Sequence, residues 1–141
     1  MNLYNRINDS DLCKYLSSEQ ENRVNSIAEK KSLTMNQYLV EKEKMVSALV
    51  VVDSGELIME SVKGKQLGSL ISTDELCCED YYIYPKPAFY TVRATTATEL
   101  LVYDFIKLDE LLNTDKELLS RIYAAINDSL SLKTIRLTHR A

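Results

Sequence analysis

Apolar residues recur at two different periods along this chain of 141 residues, and the change of period divides it into three regions. Between residues 9 and 31, apolar residues recur at helical spacing behind a capping box formed by Ser18 and Glu21. Over residues 32–103, β-branched and aromatic residues dominate and turn signals come at short intervals. The helical period returns over residues 104–138. The pattern predicts N-terminal helices, a β-rich middle and C-terminal helices.

The middle region contains short strands separated by turns. Residues 48–52 form a continuous apolar run, which is typical of a strand buried on both faces. Asp53-Ser54-Gly55 is a turn signal, and we predict that it joins this strand to residues 57–59 in a hairpin. A last strand pair is predicted over residues 90–96 and 99–103. Strands at this spacing indicate an antiparallel roll or jelly roll.

Two helices are predicted after the strands. Asp104 is placed to cap a helix over residues 105–112, and Thr114 with Glu117 forms a capping box for a long helix reaching about Leu137. Its apolar residues form two stripes. The first consists of Leu119, Ile122, Ile126, Leu130 and Leu137, and the second of Leu118, Ala125 and Leu132. One stripe can cover the roll, which leaves the other available to a partner.

Composition excludes several classes of function. The net charge of −4 and the pI near 5.1 argue against nucleic-acid binding. No apolar run is long enough to span a bilayer, and the N-terminus is polar, so we expect a cytoplasmic protein with no membrane contact. Cys13, Cys77 and Cys78 do not form the even set of a disulfide scaffold. With His139 as the single histidine, we expect no metal, no cofactor and no enzymatic activity.

The order of elements, with the run VDSGEL at residues 52–57, resembles the cyclic-nucleotide-binding domain of the catabolite activator protein and protein kinase A regulatory-subunit superfamily. The resemblance covers nearly the whole chain. It implies one domain over residues 1–141, of the α+β class, with a jelly-roll-like antiparallel β-roll, N-terminal helices and a long C-terminal helix. We expect no DNA-binding or effector domain in this chain.

In that family the ligand lies in a phosphate-binding cassette, which consists of Gly-Glu, a short helical turn and Pro-Arg-Ala-Ala-Thr-Val. The glutamate holds the ribose hydroxyl and the arginine holds the cyclic phosphate. In this chain Glu79 stands at the glutamate position, and the spacing of the kinase regulatory subunits brings four further residues onto the family pattern. These are Pro87, Thr91, Val92 and Ala94.

The cassette departs from the pattern at three positions, so the resemblance implies a degenerate cassette. Cys78 stands where the family has glycine, Ala88 where it has arginine, and Phe89 where it has a small residue. Arg93 lies an odd number of positions from Ala88 along a strand and should face the other way. Losing one charge-assisted hydrogen bond forfeits about 1.5–3 kcal/mol. We therefore expect no binding of cAMP or cGMP in the family's manner.

Two sets of candidate site residues follow. The vestigial ligand pocket consists of Cys78, Glu79, Ala88, Phe89, Tyr90 and Thr91. The candidate partner surface consists of Tyr81, Tyr82, Tyr84, Ile122, Ile126, Leu130 and Leu137. Two interpretations of the aromatic residues stay open, since they can fill the vacant pocket or face a partner.

The interpretation of two other features also stays open. Glu79 is either a relic ribose ligand or a surface or turn carboxylate. The thiols of Cys77 and Cys78 are either sensors or buried small residues.

The sequence favours a non-enzymatic adaptor or regulatory subunit that acts through protein–protein interaction, with a homodimer formed through the C-terminal helix. The alternative is a stand-alone sensor whose pocket is re-tuned for an atypical or less charged ligand.

Overall fold

Two antiparallel sheets form the middle of the chain in the computed structural model, which describes residues 10–140 and their side chains as far as Lys133. The described strands are β1 (Glu29–Leu33), β2 (Tyr38–Val40), β3 (Ala48–Ser54), β4 (Leu57–Glu60), β5 (Leu76–Cys77), β6 (Thr91–Ala94) and β7 (Thr98–Asp104). The described helices are α1 (Ser18–Asn25), α2 (Glu79–Ile83), α3 (Phe105–Leu112) and α4 (Lys116–Arg140). The predicted fold class is confirmed.

The two sheets have the strand orders β1-β7-β3-β5 and β2-β6-β4, and their neighbouring strands pair antiparallel. Strand β3 contributes to two hydrophobic clusters because alternate side chains point to opposite faces. Val50 and Val52 pack between the sheets, whereas Leu49 and Val51 pack beneath the helices. The prediction of a strand buried on both faces is confirmed.

The two predicted strand pairings are wrong. The chain does turn at residues 53–55, but β3 pairs with β7 and β5 while β4 pairs with β6, so the turn carries the chain from one sheet to the other. Likewise β6 and β7 lie in different sheets. The β3–β4 connection contacts the β6–β7 connection at Gly55. Gly55 has a φ of +97°, and a Cβ at this position would lie 2.5 Å from Thr98 Oγ1. A turn signal predicts a change of direction, not the strand that the chain pairs with next.

The predicted N-terminal helical region is too long. Helix α1 ends at Asn25, and Glu29 to Leu33 form an edge strand whose first four side chains are exposed. Residues 29–33 pair with β7, and this long-range contact overrides the local helical pattern. The propensities of the residues themselves give no information about such a pairing. The capping box is formed by Ser17 and Gln20, one residue earlier than predicted.

The C-terminal helices match the prediction more closely. Asp104 caps α3 by accepting a hydrogen bond from Lys107 N at 3.0 Å. The second capping box is wrong, because the Asp115 carboxylate accepts bonds from the amides of Glu117 and Leu118 in place of Thr114. None of the described helices is both long and apolar enough to cross a bilayer.

The two predicted stripes of the long helix are not separate surfaces. One buried face of α4 combines members of both, namely Leu118, Ile122, Ala125 and Ile126. Leu132 is exposed, and the side chain of Leu137 lies outside the described residues.

Candidate functional site

The cassette begins with a backbone turn at Cys78, between β5 and α2. Cys78 has φ 72° and ψ 8°, the left-handed conformation that glycine adopts without strain. A residue with a Cβ pays about 1–2 kcal/mol there. The chain therefore keeps the turn for which the resembling family uses glycine, although it carries a cysteine at this position.

Glu79, the first residue of α2, is buried against the long helix. Its carboxylate accepts hydrogen bonds from Lys133 Nζ at 2.6 and 2.8 Å and from the hydroxyl of Ser129. Lys133 Nζ also donates to the carbonyl of Leu76 at 2.8 Å. Glu79 is 1% exposed, so its interpretation as a surface carboxylate is wrong. Burial acts to lower the pKa of Lys133, but the Glu79 carboxylate together with Cys77 and Asp80 acts in the opposite direction, and the pKa is raised.

Ala88, which the resemblance aligns with the family's arginine, is hydrogen-bonded through its backbone. Its amide donates to the carbonyl of Lys44 at 2.9 Å, and its carbonyl accepts from Glu43 N at 2.6 Å, so the side chain is buried. Arg93 faces elsewhere, as predicted. Its guanidinium donates to Glu60 at 2.8 Å and to Asn36 at 2.9 Å.

The aromatic residues of the cassette take different roles. Tyr81 and Tyr90 are buried with ring centroids 5.3 Å apart, and Tyr90 donates to both oxygens of Asp80 at 3.0 Å. In contrast, Tyr84 is 69% and Phe89 55% exposed. Some rings therefore pack inside the cassette while others face outward, so neither of the two open interpretations covers all of them.

Tyr82 connects the cassette to the C-terminal helices. Its ring lies 5.0 Å from that of Phe105 and 6.2 Å from that of Tyr123, and its hydroxyl donates to Asp109 at 2.6 Å. The cassette and the helices that follow the roll are thus in direct contact through this side chain.

A cavity of about 330 Å³ lies between the cassette, β4 and α4. Its lining residues are Met59, Leu67, Glu79, Asp80, Phe89, Tyr90, Leu130 and Lys133. Of the predicted pocket residues, Glu79, Phe89 and Tyr90 line it. Cys78 lines a separate cavity of about 220 Å³, and Ala88 and Thr91 line neither.

The sequence interpretation missed Asp80, Ser129 and Lys133. Ser129 lies three residues after Ile126, and Lys133 lies four residues after Ser129, so both continue the buried face of α4. In the sequence, polar residues that continue the apolar stripe of this helix are the feature that could have indicated this part of the site.

Three residues of the predicted partner surface are buried, so that part of the prediction is wrong. Tyr81 lies in the cassette interior, while Ile122 and Ile126 pack against the sheet that contains β3. Tyr82 and Leu130 are half-buried. Tyr84 is the exposed member of the set among the described side chains.

The cysteines are free thiols in buried positions. Burial raises the pKa of Cys13 to about 11. The hydrogen bond with Cys77, together with burial, raises the pKa of Cys78. Since the thiolate is the reactive form, this environment favours the buried-residue interpretation over a thiol sensor. No cluster of metal-ligating side chains occurs among the described residues.

Comparison with solved structures identifies the architecture. A cyclic nucleotide-binding domain from Methylobacillus flagellatus KT superposes with a TM-score of 0.86 at 15% identity, covering 98% of this chain and 82% of that one. The chain has the cyclic-nucleotide-binding-domain fold. The N-terminal domain of a transcriptional regulator from Streptomyces coelicolor A3(2) is similar at a TM-score of 0.74 and 21% identity, with 91% and 92% of the two chains covered.

The Catabolite Activator Protein of Thermus thermophilus has a TM-score of 0.75 at 18% identity. The match covers 92% of this chain and 62% of that one, so this chain spans less than two thirds of that regulator. No family model matches the sequence, and no curated protein matches it either. At these identities the likeness establishes the fold, and the function has to be argued from the site.

Proposed function

We propose that this domain is a non-enzymatic regulatory module that does not bind cAMP or cGMP in the manner of the family it resembles, and that acts through contact with another protein. The proposal rests on the hydrogen bonds that the Glu79 carboxylate already accepts. The carboxylate that the resemblance assigns to a ribose hydroxyl is held by Lys133 and Ser129. A ribose hydroxyl would have to compete with both donors for this carboxylate.

The position of the cyclic phosphate supports the same conclusion. Ala88 offers no cation there, and the guanidinium of Arg93 is paired with Glu60. One charge-assisted hydrogen bond is worth about 1.5–3 kcal/mol, or roughly a 10- to 150-fold change in affinity. A thermal-shift measurement tests this, and we expect millimolar cAMP or cGMP to leave the melting temperature unchanged. A rise of several degrees with either nucleotide would contradict the proposal.

The regulatory part of the proposal draws on the fold and on one exposed surface. The solved relatives include a catabolite activator and a transcriptional regulator. In this chain Lys86 Nζ lies 5.2 Å from the ring centre of Tyr84 and 4.5 Å from that of Phe89. Exposed aromatic rings with a cation between them have the chemistry of interface hot spots.

Affinity capture from the native cell tests this surface, which we call the cassette face and define as Tyr84, Lys86 and Phe89. We expect a partner recovered with the wild-type chain to be lost with the double variant Tyr84→Ala and Phe89→Ala. Ile106→Ala is the matched control, because Ile106 is 69% exposed on α3, outside the cassette. Equal recovery with the double variant would exclude the cassette face as the docking site.

The homodimer through α4 is a further part of the proposal. Leu132 is an exposed apolar residue on that helix. Light scattering at high protein concentration should give twice the chain mass of 16.1 kDa. A monomer mass at every concentration would exclude the dimer.

A second candidate function is a small-molecule sensor with a re-tuned pocket. The observation that favours it is the cavity of about 330 Å³, since the buried rings of Tyr81 and Tyr90 leave this space open. A pocket ligand at 100 times its dissociation constant would add about 2.7 kcal/mol of stability. A compound screen by thermal shift therefore separates a sensor, which responds, from an adaptor, which does not.

A further inference from the structure

The charges around the cavity do not balance. Its lining contains two carboxylates, Glu79 and Asp80, and one ammonium, Lys133. Lys133 lies 2.6 Å from Glu79 Oε1 and forms an ion pair with it, so these two charges compensate each other. The hydrogen-bond partner of the Asp80 carboxylate is neutral: it is the hydroxyl of Tyr90, at 3.0 Å from each oxygen, while the charge of Lys133 attracts Asp80 as well. The described lining carries a net charge of one negative unit, since two carboxylates share one ammonium.

The surroundings of Asp80 make this charge costly. Met59, Leu67 and Leu130 form apolar walls of the same cavity. A carboxylate in such a place loses hydration that one hydroxyl does not replace. Burial accordingly raises the pKa of Asp80, although the hydrogen bond from Tyr90 acts in the opposite direction.

A cation is the ligand that relieves this imbalance. It would pair with Asp80, while its hydrocarbon part would cover the apolar walls and the rings of Phe89 and Tyr90. An anion would instead meet the two carboxylates of the lining, Glu79 and Asp80, and would have to compete with Glu79 for Lys133. The cavity volume is at the lower end of the range of about 300–1,000 Å³ for ligand pockets, which favours a ligand of one ring.

We propose that this cavity binds a small organic cation, an amine with a single aromatic or aliphatic body, through the Asp80 carboxylate. This ligand class is opposite in charge to a cyclic nucleotide. The inference rests on the sensor function proposed above and specifies its ligand.

A charge series with a constant ring tests the proposal. The probes are phenethylamine, 2-phenylethanol and phenylacetate, which carry a positive, a zero and a negative charge on similar skeletons. Titrations followed by amide resonances should show phenethylamine binding about 10-fold or more tightly than 2-phenylethanol, because its ammonium forms an ion pair with the Asp80 carboxylate and a neutral hydroxyl does not. The shifts should concentrate at Asp80 and Tyr90, and phenylacetate should bind least.

Two variants identify the carboxylate that is responsible. Asp80→Asn should erase the preference for the amine while keeping an acceptor for Tyr90. Asp109→Asn is the matched control, since Asp109 also accepts a tyrosine hydroxyl, that of Tyr82, but lies outside the cavity. This variant should keep the preference.

Three results would overturn the proposal. They are equal affinity for the amine and the alcohol, an unchanged preference in Asp80→Asn, and no response of the cassette amides to any probe. A cAMP titration in the same format separates this inference from the proposed function. Binding of cAMP would refute the loss of nucleotide binding, whereas failure of the amine series would refute only the ligand class.

Discussion

Replacing Lys133 by Met removes the cation that neutralises Glu79 but keeps most of the apolar volume of the side chain. The Glu79 carboxylate, 1% exposed, would then depend on the hydroxyl of Ser129. The carbonyl of Leu76 would also lose its donor. The variant therefore tests whether this ion pair fastens the cassette to α4.

The magnitude follows from burial. Removing one member of a buried ion pair costs about 3–5 kcal/mol. The side chain of Lys133 is 22% exposed and Ser129 still donates, so we expect the lower end, about 3 kcal/mol. Unfolding entropies of about 2.1 cal/mol/K per residue convert this to a fall in melting temperature of roughly 10 °C for a chain of this length.

Urea unfolding followed by circular dichroism at pH 7 measures the change. Glu79→Gln and the double variant complete a double-mutant cycle, and we expect the double variant to recover part of the loss because no buried charge remains. Lys116→Met is the control, because Lys116 is exposed in the first turn of the same helix. If Lys133→Met loses no more unfolding free energy than Lys116→Met, the ion pair does not fasten the cassette to α4.

Three further predictions concern the corner between the sheets, the buried face of α4 and the pH dependence of Asp80. Gly55→Ala should cost more than 2 kcal/mol of unfolding free energy, because its Cβ would clash with backbone at a positive φ, whereas Gly64→Ala, with open space around it, should cost about 1 kcal/mol. Similar losses in the two variants would contradict the contact at this corner. Leu118→Ala should cost about 2–5 kcal/mol and Leu132→Ala less than about 0.5 kcal/mol, and the reverse order in urea unfolding would mean that α4 presents another face to the core. Since the folded pKa of Asp80 is raised by burial, its contribution to stability is greatest below its unfolded pKa of about 3.9 and is lost as pH rises through the folded value. Asp80→Asn should therefore be more stable than wild type at pH 7 and lose this advantage near pH 3, and an advantage that grows on acidification would contradict the sign.

The sequence was most informative where one element's own pattern decides its structure. Residues 48–52 predicted a strand buried on both faces, and Asp104 predicted a helix cap. Pairing was not predictable in the same way. The turn before β4 is decided by local residues. The strand that pairs with β4 is β6, more than thirty residues further along the chain, so the sheet to which β4 belongs depends on tertiary contacts.

The residues of the candidate site also differ in whether local sequence or tertiary contacts decide their positions. Counting along the cassette located Glu79, Ala88 and the turn at Cys78, because that segment is continuous in sequence. The donor that holds Glu79 is 54 residues away on another element, and a lysine in a helix is usually solvated. Only the register of Lys133 on the buried face of α4 pointed to it. The separate outward and inward roles of the rings likewise depend on tertiary packing, since Tyr81 and Tyr90 are buried in the cluster between the sheets.

Calorimetric titration of the purified domain with cAMP and with cGMP measures whether the chain binds a cyclic nucleotide. We expect no heat of binding at micromolar nucleotide, because Lys133 and Ser129 hold Glu79 and Ala88 supplies no cation. A dissociation constant at or below micromolar for the wild-type chain would contradict the account.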